Sequence, residues 1–141
     1  DTAYVSSVLD FHGETIVGMS MINGLAGLII WTDNLEVLLD FYRDVLQLVP
    51  HSVKPDFVSF RWGDTRLNIG THSNIKGLSK DRFRIMINLR VHDVRAVHNS
   101  LEERGIDFMR PPEQEHWGGW ICTFSDPDGN IIQLVQDDRN M

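Results

Sequence analysis

The chain has 141 residues, a length that suits one domain able to bury roughly 68–70% of its unfolded surface. Lys and Arg total 13 against 20 Asp and Glu, and the basic residues are scattered, which argues against a nucleic-acid or anionic membrane surface. No run of about 18 apolar residues and no signal-peptide pattern is present, so a cytoplasmic protein is expected. The single Cys122 lies in an apolar strand pattern and is expected to be a buried structural thiol.

The first 22 residues share no pattern with the rest of the chain. Tyr4–Leu9 and Thr15–Val17 are compatible with short extended pieces, and we treat residues 1–22 as an extension of uncertain role. Residues 23–141 are expected to form a single domain.

Residues 25–72 predict a strand, a helix and three further strands. Gly27–Trp31 is the first strand, and Asp33 is expected to cap the helix with Glu36 reaching back in a capping box. One face of that helix is apolar and consists of Leu35, Leu38, Leu39, Tyr42, Val45 and Leu46. Strands are then predicted over Leu48–Val53, Phe57–Trp62 and Thr65–Thr71, with a turn at Gly63–Asp64.

Residues 83–136 repeat this order after a polar connector, His72–Asp81. Arg84–Val91 alternates as a strand, Asp93 begins a helix, and Gly105 stands where a left-handed C-terminal cap is needed. The helix face is marked by Val94, Val97 and Leu101, and the later strands are Ile106–Met109, Trp120–Phe124 and Ile131–Gln136, the last two joined by a turn at Pro127 and Gly129. The similar spacing of caps and turns predicts a duplicated βαβββ unit and an α+β fold.

Alternation divides the predicted strands into two faces. The odd-numbered residues of Arg84–Val91, namely Ile85, Ile87, Leu89 and Val91, are expected to meet the helix. Met86, Asn88 and Arg90 then face a pocket or solvent, as do Asn68 and Gln133 in their own strands. Three strands therefore offer polar residues to one surface.

Three segments resemble the vicinal oxygen chelate superfamily, which includes glyoxalase I, bleomycin-resistance proteins and extradiol dioxygenases. They are Asp40–Leu46, the helix end Arg104–Gly105, and Ser125–Leu134 with its Asp126-Pro127-Asp128-Gly129-Asn130 turn, and the resemblance covers about residues 25–136. It implies two βαβββ modules forming a curled mixed sheet around a cavity, the glyoxalase/bleomycin-resistance fold. It also implies a homodimer, in which modules are sometimes exchanged between chains.

The resemblance places the metal-ligand positions of the superfamily at Gly27, Asn68, Met86 and Gln133, where metal-dependent relatives typically carry His or Gln, Glu, His and Glu. Two neutral amides and one thioether lack the charge and imidazole nitrogens that secure a divalent cation. We therefore expect no metal and no other cofactor. His72 could restore a ligand in principle, but strand spacing puts it near the rim.

The stretch His116-Trp117-Gly118-Gly119-Trp120 is the best ligand-contact candidate, since similar stretches border the cavity in the superfamily and tryptophans stack on flat organic groups. Core packing is the competing interpretation for Trp120. The full set of predicted ligand-binding residues is Trp31, Asn68, Met86, Asn88, Arg90, Trp117, Trp120 and Gln133, and no catalytic residue is predicted.

These features favour a metal-free small-molecule binding protein of the bleomycin-resistance kind. The alternative is an enzyme of glyoxalase, lyase or dioxygenase type, with a metal or with Asp56, His72 or His116 as a base. A ligand-responsive interaction module is a third interpretation, because the fold does not fix the function. The acidic balance favours a cationic ligand, whereas Arg66, Arg84 and Arg90 favour an anionic or carbonyl-bearing one.

Overall fold

A computed structural model describes residues 4–9 and 15–137. Tyr4–Leu9 (β1) and Thr15–Ser20 (β2) pair as an antiparallel hairpin, which forms a two-stranded sheet of its own. Both extended pieces expected in the N-terminal extension are confirmed, and β2 is three residues longer than expected. Residues 1–3 and 10–14 of that extension lie outside the described residues.

The first module follows the predicted order. Its elements are β3 (Gly27–Thr32), α1 (Leu35–Leu39, continued by a π-helical segment over Asp40–Val45), β4 (Ser52–Lys54), β5 (Phe57–Trp62) and β6 (Thr65–Thr71). The sheet order is β3-β6-β5-β4, with β3 and β6 parallel and the other pairs antiparallel.

The second module repeats that order with β7 (Met86–Arg90), α2 (Val94–Glu103), β8 (Arg110–Gln114), β9 (Trp120–Ser125) and β10 (Ile131–Gln136). Its sheet order, β7-β10-β9-β8, matches the first strand for strand, so the duplicated α+β architecture is confirmed. One feature differs: the two sheets are separate four-stranded sheets, and no ladder joins β3 to β7 in the described chain. The single curled sheet expected from the resemblance is therefore not closed.

The cap of α1 differs from the prediction. Asn34 caps the helix, its Oδ1 accepting from the Val37 N–H at 3.4 Å, whereas Asp33 Oδ2 accepts from the Gly77 N–H at 2.9 Å. The predicted box between Asp33 and Glu36 is wrong because a contact with the connector takes the Asp33 carboxylate. At α2 the predictions hold: Asp93 caps the helix, and Gly105 follows it with φ of 91°.

Strand β8 corrects the prediction of a strand over Ile106–Met109. The strand lies at Arg110–Gln114 and contains Pro111 and Pro112, and its register shifts between Arg110 and Glu113. Proline lacks the N–H that an inner strand needs, but β8 is an edge strand with a bulge, where the missing donor costs no ladder bond.

Two other strands are shorter than predicted. The strand expected over Leu48–Val53 is reduced to Ser52–Lys54, because the chain first turns at Gln47, a non-glycine residue with φ of 61°. The strand expected over Arg84–Val91 begins only at Met86, so Ile85 lies outside it with 76% of its surface exposed and does not meet the helix.

A single hydrophobic core joins both modules. Phe41, from the π-helical segment, lies 6.2 Å from Phe124 of β9, and Phe108 lies 5.3 Å from the same ring. Cys122 is buried in this core, and burial raises its pKa to about 12, which confirms the expected buried thiol. Among the described residues no helix has the length and apolar character needed to cross a membrane.

A buried hydrogen bond crosses between the modules inside this core. The Tyr42 hydroxyl donates to Asp126 Oδ2 at 2.8 Å, and both side chains are buried. Asp126 also accepts from the Asp128 N–H, the Asn130 N–H and Asn130 Nδ2, each at 2.9 Å. Burial raises the Asp126 pKa, while the hydrogen bonds from Asn130 and Tyr42 act in the opposite direction. The Asp-Pro-Asp-Gly-Asn turn is thus hydrogen-bonded both within its own hairpin and to the first module.

Replacing Tyr42 with Phe should lower the free energy of unfolding at neutral pH by about 1.5–3 kcal/mol, because Asp126 loses a donor to a buried carboxylate. The folded-state pKa of Asp126 is raised, so its carboxyl is protonated in the native state before most other Asp residues. The loss of unfolding free energy caused by Tyr42→Phe should therefore become smaller as the pH falls through that raised pKa. Urea unfolding across this range, in a double-mutant cycle with Asp126→Asn, measures the coupling; additive single effects would contradict the prediction.

Candidate functional site

Each sheet has one face packed on the core and one outer face, and the outer face of the first sheet is open. In the second sheet Ile121 and Ile131 lie on the outer face but are only 3% and 0% exposed, so that face is open only in part. In the first sheet Val58, Phe60, Leu67 and Ile69 are buried on the helix side, as the alternation predicts. The opposite side, which we call the sheet-one face, consists of Gly27, Ile29, Trp31, Phe57, Ser59, Arg61, Arg66, Asn68 and Gly70. The register arranges these residues in three rows across the strands.

The first row is aromatic. Trp31, Gly70 and Phe57 are neighbours on successive strands, and the Trp31 and Phe57 ring centroids are 6.1 Å apart. A Cβ on Gly70 would lie 2.6 Å from the Phe57 ring and 2.8 Å from the Trp31 ring, so only glycine lets both rings cover this strand. His72 meets the edge of Trp31 at 5.3 Å, and its Nδ1 accepts from the Asn74 N–H.

The middle row is polar and unpaired. Asn68 lies between Ile29 and Ser59 in the register, and Ser59 is only 7% exposed. Asn68 Oδ1 and Ser59 Oγ are both buried, and neither has a hydrogen-bond partner within the described residues. Buried polar groups are nearly always paired, so two neighbouring exceptions on one face make that face a candidate ligand surface.

The third row is cationic. Arg66 and Arg61 are directly opposite on β6 and β5, and Gly27 is the neighbour of Arg66 on β3. Neither guanidinium makes a hydrogen bond or ion pair with any residue that the structure describes, and like charges directly opposite on a sheet repel. A Cβ on Gly27 would overlap the Arg66 backbone carbonyl, so this backbone admits no side chain there.

The open face of the second sheet has the same register but paired side chains. Asn88, Gln133, Thr123 and Arg110 form its central row, and Gln133 Nε2 donates to Asn88 Oδ1 at 3.2 Å. Carboxylates neutralise Arg110: Glu113 lies at 3.1 Å and Glu115 at 3.2 Å. Of the other residues predicted here, Arg90 pairs with Asp137 at 3.1 Å and Met86 is 40% exposed.

The two tryptophans of the β8–β9 hairpin lie apart from these rows. Trp120 shares a side of β9 with buried Cys122, and the Arg95 guanidinium lies 4.1 Å from its ring centroid. Trp120 and Arg95 both line a surface cavity of about 900 Å³. The Trp117 ring covers Gly119, where a Cβ would overlap it. The structure therefore places Trp120 on the core side of its strand, away from Gln133.

A second cavity, of about 1060 Å³, separates the two modules at the edges of β3 and β7. Its floor includes the buried side chains of Leu67, Ile87 and Leu134. Its wall includes Arg66 and Trp62 from the first module, together with Asn88 and Arg90 from the predicted set. This inter-module cavity lies beside the cationic row of the sheet-one face, because Arg66 belongs to both.

Sequence reasoning left Phe57, Ser59 and Arg61 out of the candidate site. All three come from β5, a strand that was correctly located. Applying the same alternation to Phe57–Trp62 would have put them on the face of Asn68, but their row partners follow only from the strand register.

The profile of the Glyoxalase/Bleomycin resistance protein/Dioxygenase superfamily matches residues 22–134, a span that covers both modules except the last two residues of β10. The chain belongs to this superfamily. The match agrees with the two βαβββ modules and with the resemblance noted in the sequence.

Three individual proteins illustrate the relationship. The uncharacterized protein YraH of Bacillus subtilis (strain 168) is 24% identical over 110 residues, which cover 70% of this chain and 86% of that protein. TnmS3, an antibiotic binding protein from Streptomyces sp. CB03234, is 26% identical with a TM-score of 0.68, covering 83% of this chain and 98% of its own. A lactoylglutathione lyase from Agrobacterium tumefaciens shares the fold at 18% identity and a TM-score of 0.64, covering 80% and 92%.

The superfamily includes metal-dependent members, and the residues at the implied ligand positions do not fit a metal. Gly27 offers no donor, Met86 offers a thioether, and Asn68 and Gln133 offer neutral amides, with Gln133 already bonded to Asn88. Within the described chain no three His, Cys, Asp or Glu side chains gather where they could hold an ion. A divalent cation would lack the charged or imidazole ligands it requires.

Replacing Ser59 with Ala should leave the free energy of unfolding of the ligand-free protein unchanged or raise it by about 1 kcal/mol, because an unpaired buried hydroxyl is removed. Thr32→Val is the matched control, since Thr32 is also buried but its Oγ1 accepts from the Asn34 N–H at 3.0 Å. The free energy of unfolding should fall by about 1 kcal/mol in this control variant. Urea denaturation compares the two, and an equal loss in Ser59→Ala would show that its hydroxyl has a structural partner.

Proposed function

We propose that this protein is a metal-free binding protein that sequesters a small organic ligand on the sheet-one face. The observation that carries the proposal is the pair of buried, unpaired polar atoms, Ser59 Oγ and Asn68 Oδ1, between an aromatic row and a cationic row. Ligand sites typically combine apolar walls with a few polar groups that fix orientation, and this face has that composition.

The aromatic row supplies the contact area. Trp31 and Phe57 meet at an interplanar angle of 50°, so a flat group that packs on one ring meets the other at an angle. Stacking of this kind adds to the area buried by the ligand, and the missing side chain at Gly70 keeps the rings close to the sheet. The hydrogen-bonding groups of Ser59 and Asn68 then select the orientation of the ligand.

The relationship to an antibiotic-binding protein supports sequestration as the biological outcome. Sequestration requires affinity and no chemistry, which agrees with a face that has unpaired polar groups but no paired nucleophile and base. Enzyme chemistry of the glyoxalase, lyase or dioxygenase type depends on a metal, and the donors at the four implied positions do not suit one. His72, one of the bases considered, has its Nδ1 engaged by the Asn74 N–H.

We further propose that two copies associate through the second sheet at Met86, which leaves the sheet-one face to the ligand. Met86 and the neighbouring Ile85 are 40% and 76% exposed, and association would remove this apolar surface from water. A cytoplasmic location suits the free, buried thiol of Cys122.

Sedimentation should therefore detect a dimer, and Met86→Asp should shift it towards monomer because a charge enters the covered surface. Val49→Asp is the matched control: Val49 is 86% exposed and lies on neither open face. A wild-type monomer at all concentrations, or equal effects of the two substitutions, would contradict the dimer proposal.

Ligand binding should be saturable and unaffected by EDTA. Binding can be measured by tryptophan fluorescence with a panel of cationic glycopeptide antibiotics and aromatic acids. The Trp31→Leu variant should bind the ligands found in this panel about tenfold more weakly, because stacking contributes about 1–1.5 kcal/mol. Trp62→Leu is the control, since Trp62 lines the inter-module cavity and lies on the other side of β5 from Phe57 and Ser59.

Metal analysis provides the contrary outcome. A stoichiometric ion retained by protein purified without chelator, together with loss of binding in EDTA, would contradict the metal-free proposal. A loss of affinity in Trp62→Leu but not in Trp31→Leu would move the ligand from the sheet-one face to the inter-module cavity.

A further inference from the structure

We infer that the sheet-one face takes an aromatic anion, whose carboxylate or similar oxyanion lies between Arg61 and Arg66. This inference rests on the proposed binding function and names the class of ligand. Three observations carry it: the unpaired arginines, the different residues at the equivalent positions of the second module, and the spacing of the rows.

The arginine pair lacks a partner in a chain that has many carboxylates. Asp and Glu outnumber Lys and Arg by 20 to 13, yet no described carboxylate pairs with Arg61 or Arg66. Asp64, in the turn that joins their strands, makes no ion pair with either. Two planar guanidinium groups side by side match the geometry of a planar oxyanion, which would also remove their mutual repulsion.

The second module acts as an internal comparison, since it has the same register. The positions equivalent to Arg61 and Arg66 are Ser125 and Ile131, so the second module has no cationic row. Its Arg110 lies in the central row, opposite Thr123, and is neutralised by Glu113 and Glu115. Its central amide, Gln133, is bonded to Asn88, whereas the equivalent Asn68 has an unpaired Oδ1. The second module thus satisfies its central amide and has no cationic row, whereas the first module has an unpaired amide oxygen and an unpaired arginine pair.

The row spacing sets the shape of the ligand. Gly70, Asn68 and Arg66 occupy alternate positions on β6, and a strand rises about 3.3 Å per residue, so the aromatic and cationic rows are about 13 Å apart. The unpaired atoms of Asn68 and Ser59 lie between these rows. The ligand therefore has rings at one end, an oxyanion at the other, and a hydrogen-bond donor between them for Asn68 Oδ1.

A matched pair of fluorescent probes tests the inference. In 1-pyrenebutyrate a flexible arm joins a flat ring system to a carboxylate, and 1-pyrenebutanol replaces the carboxylate with a hydroxyl. The acid should bind about tenfold tighter than the alcohol. The substitutions Arg61→Gln and Arg66→Gln should each lower the affinity for the acid about tenfold and leave the affinity for the alcohol unchanged. Added salt should weaken the binding of the acid only, because salt screens the charges of the exposed cationic row.

Arg43→Gln is the charge-matched control, since Arg43 is exposed on the π-helical segment and already pairs with Asp40 and Asp44. Equal binding of acid and alcohol, with no effect of the Arg61 or Arg66 substitutions, would overturn the anionic ligand while leaving the proposed function intact. An equal loss in Arg43→Gln would overturn it too, because the preference would then reflect overall charge. Failure of both probes to bind, together with a silent ligand panel, would overturn the binding function itself.

The arginines also allow a measurement without any organic probe. Removing one of two like charges should leave the ligand-free protein as stable as the wild type or more stable, so the melting temperature of Arg66→Gln should not fall. Inorganic sulfate should raise the melting temperature of the wild type more than that of the Arg61→Gln/Arg66→Gln double variant. Equal shifts in both proteins, or a fall in the melting temperature of Arg66→Gln without sulfate, would show that the arginine pair is not an anion site.

Discussion

The arrangement of the two modules depends on the buried hydrogen bond between Tyr42 and Asp126. The bond joins the π-helical segment of the first module to the last turn of the second, and Asp126 also holds that turn through Asp128 and Asn130. A buried carboxylate is costly unless its hydrogen bonds are made, so the Tyr42 donor couples the turn energetically to the helix. Because the helices are held against the core sides of both sheets, the outer face of the first sheet is left open and that of the second is open in part, and these two faces contain most of the predicted ligand-binding residues.

Two glycines then determine what the sheet-one face can do. Gly70 lets the rings of Trp31 and Phe57 lie close to the strand, which creates an aromatic end. Gly27 approaches the backbone of Arg66 so closely that a side chain has no room, and this is the position at which metal-dependent relatives are expected to carry His or Gln. The close approach of the Gly27 and Arg66 backbones therefore leaves no side chain at one implied metal-ligand position, directly beside an arginine of the cationic row.

The sequence predicted those elements whose signals are local. β5, β6 and the cap and end of α2 follow from alternation, Asp93 and Gly105, and the structure has them as expected. The cap of α1 was misplaced because Asp33 and Asn34 are both good capping residues, and a distant N–H at Gly77 decides between them. β8 was missed because its two prolines do not resemble a strand unless it is known to be an edge. Arg61 and Ser59 were missed because their importance depends on their partners across β5 and β6, which a single sequence does not specify.

The contrast between the duplicated modules bears most directly on function. Folding alone favours neutralised charges and satisfied amides, and the second module achieves both with Glu113, Glu115 and Asn88. The first module has the same register, yet Arg61, Arg66, Ser59 and Asn68 have no partner among the described residues, and the two buried groups are expected to lower its stability. A ligand that binds only the folded state recovers such a deficit, adding about 2.7 kcal/mol when its concentration is a hundred times its Kd. A face with unpaired polar groups in the free protein that a ligand would satisfy is the physical signature expected of a binding site, and this asymmetry is why we propose the site in the first module.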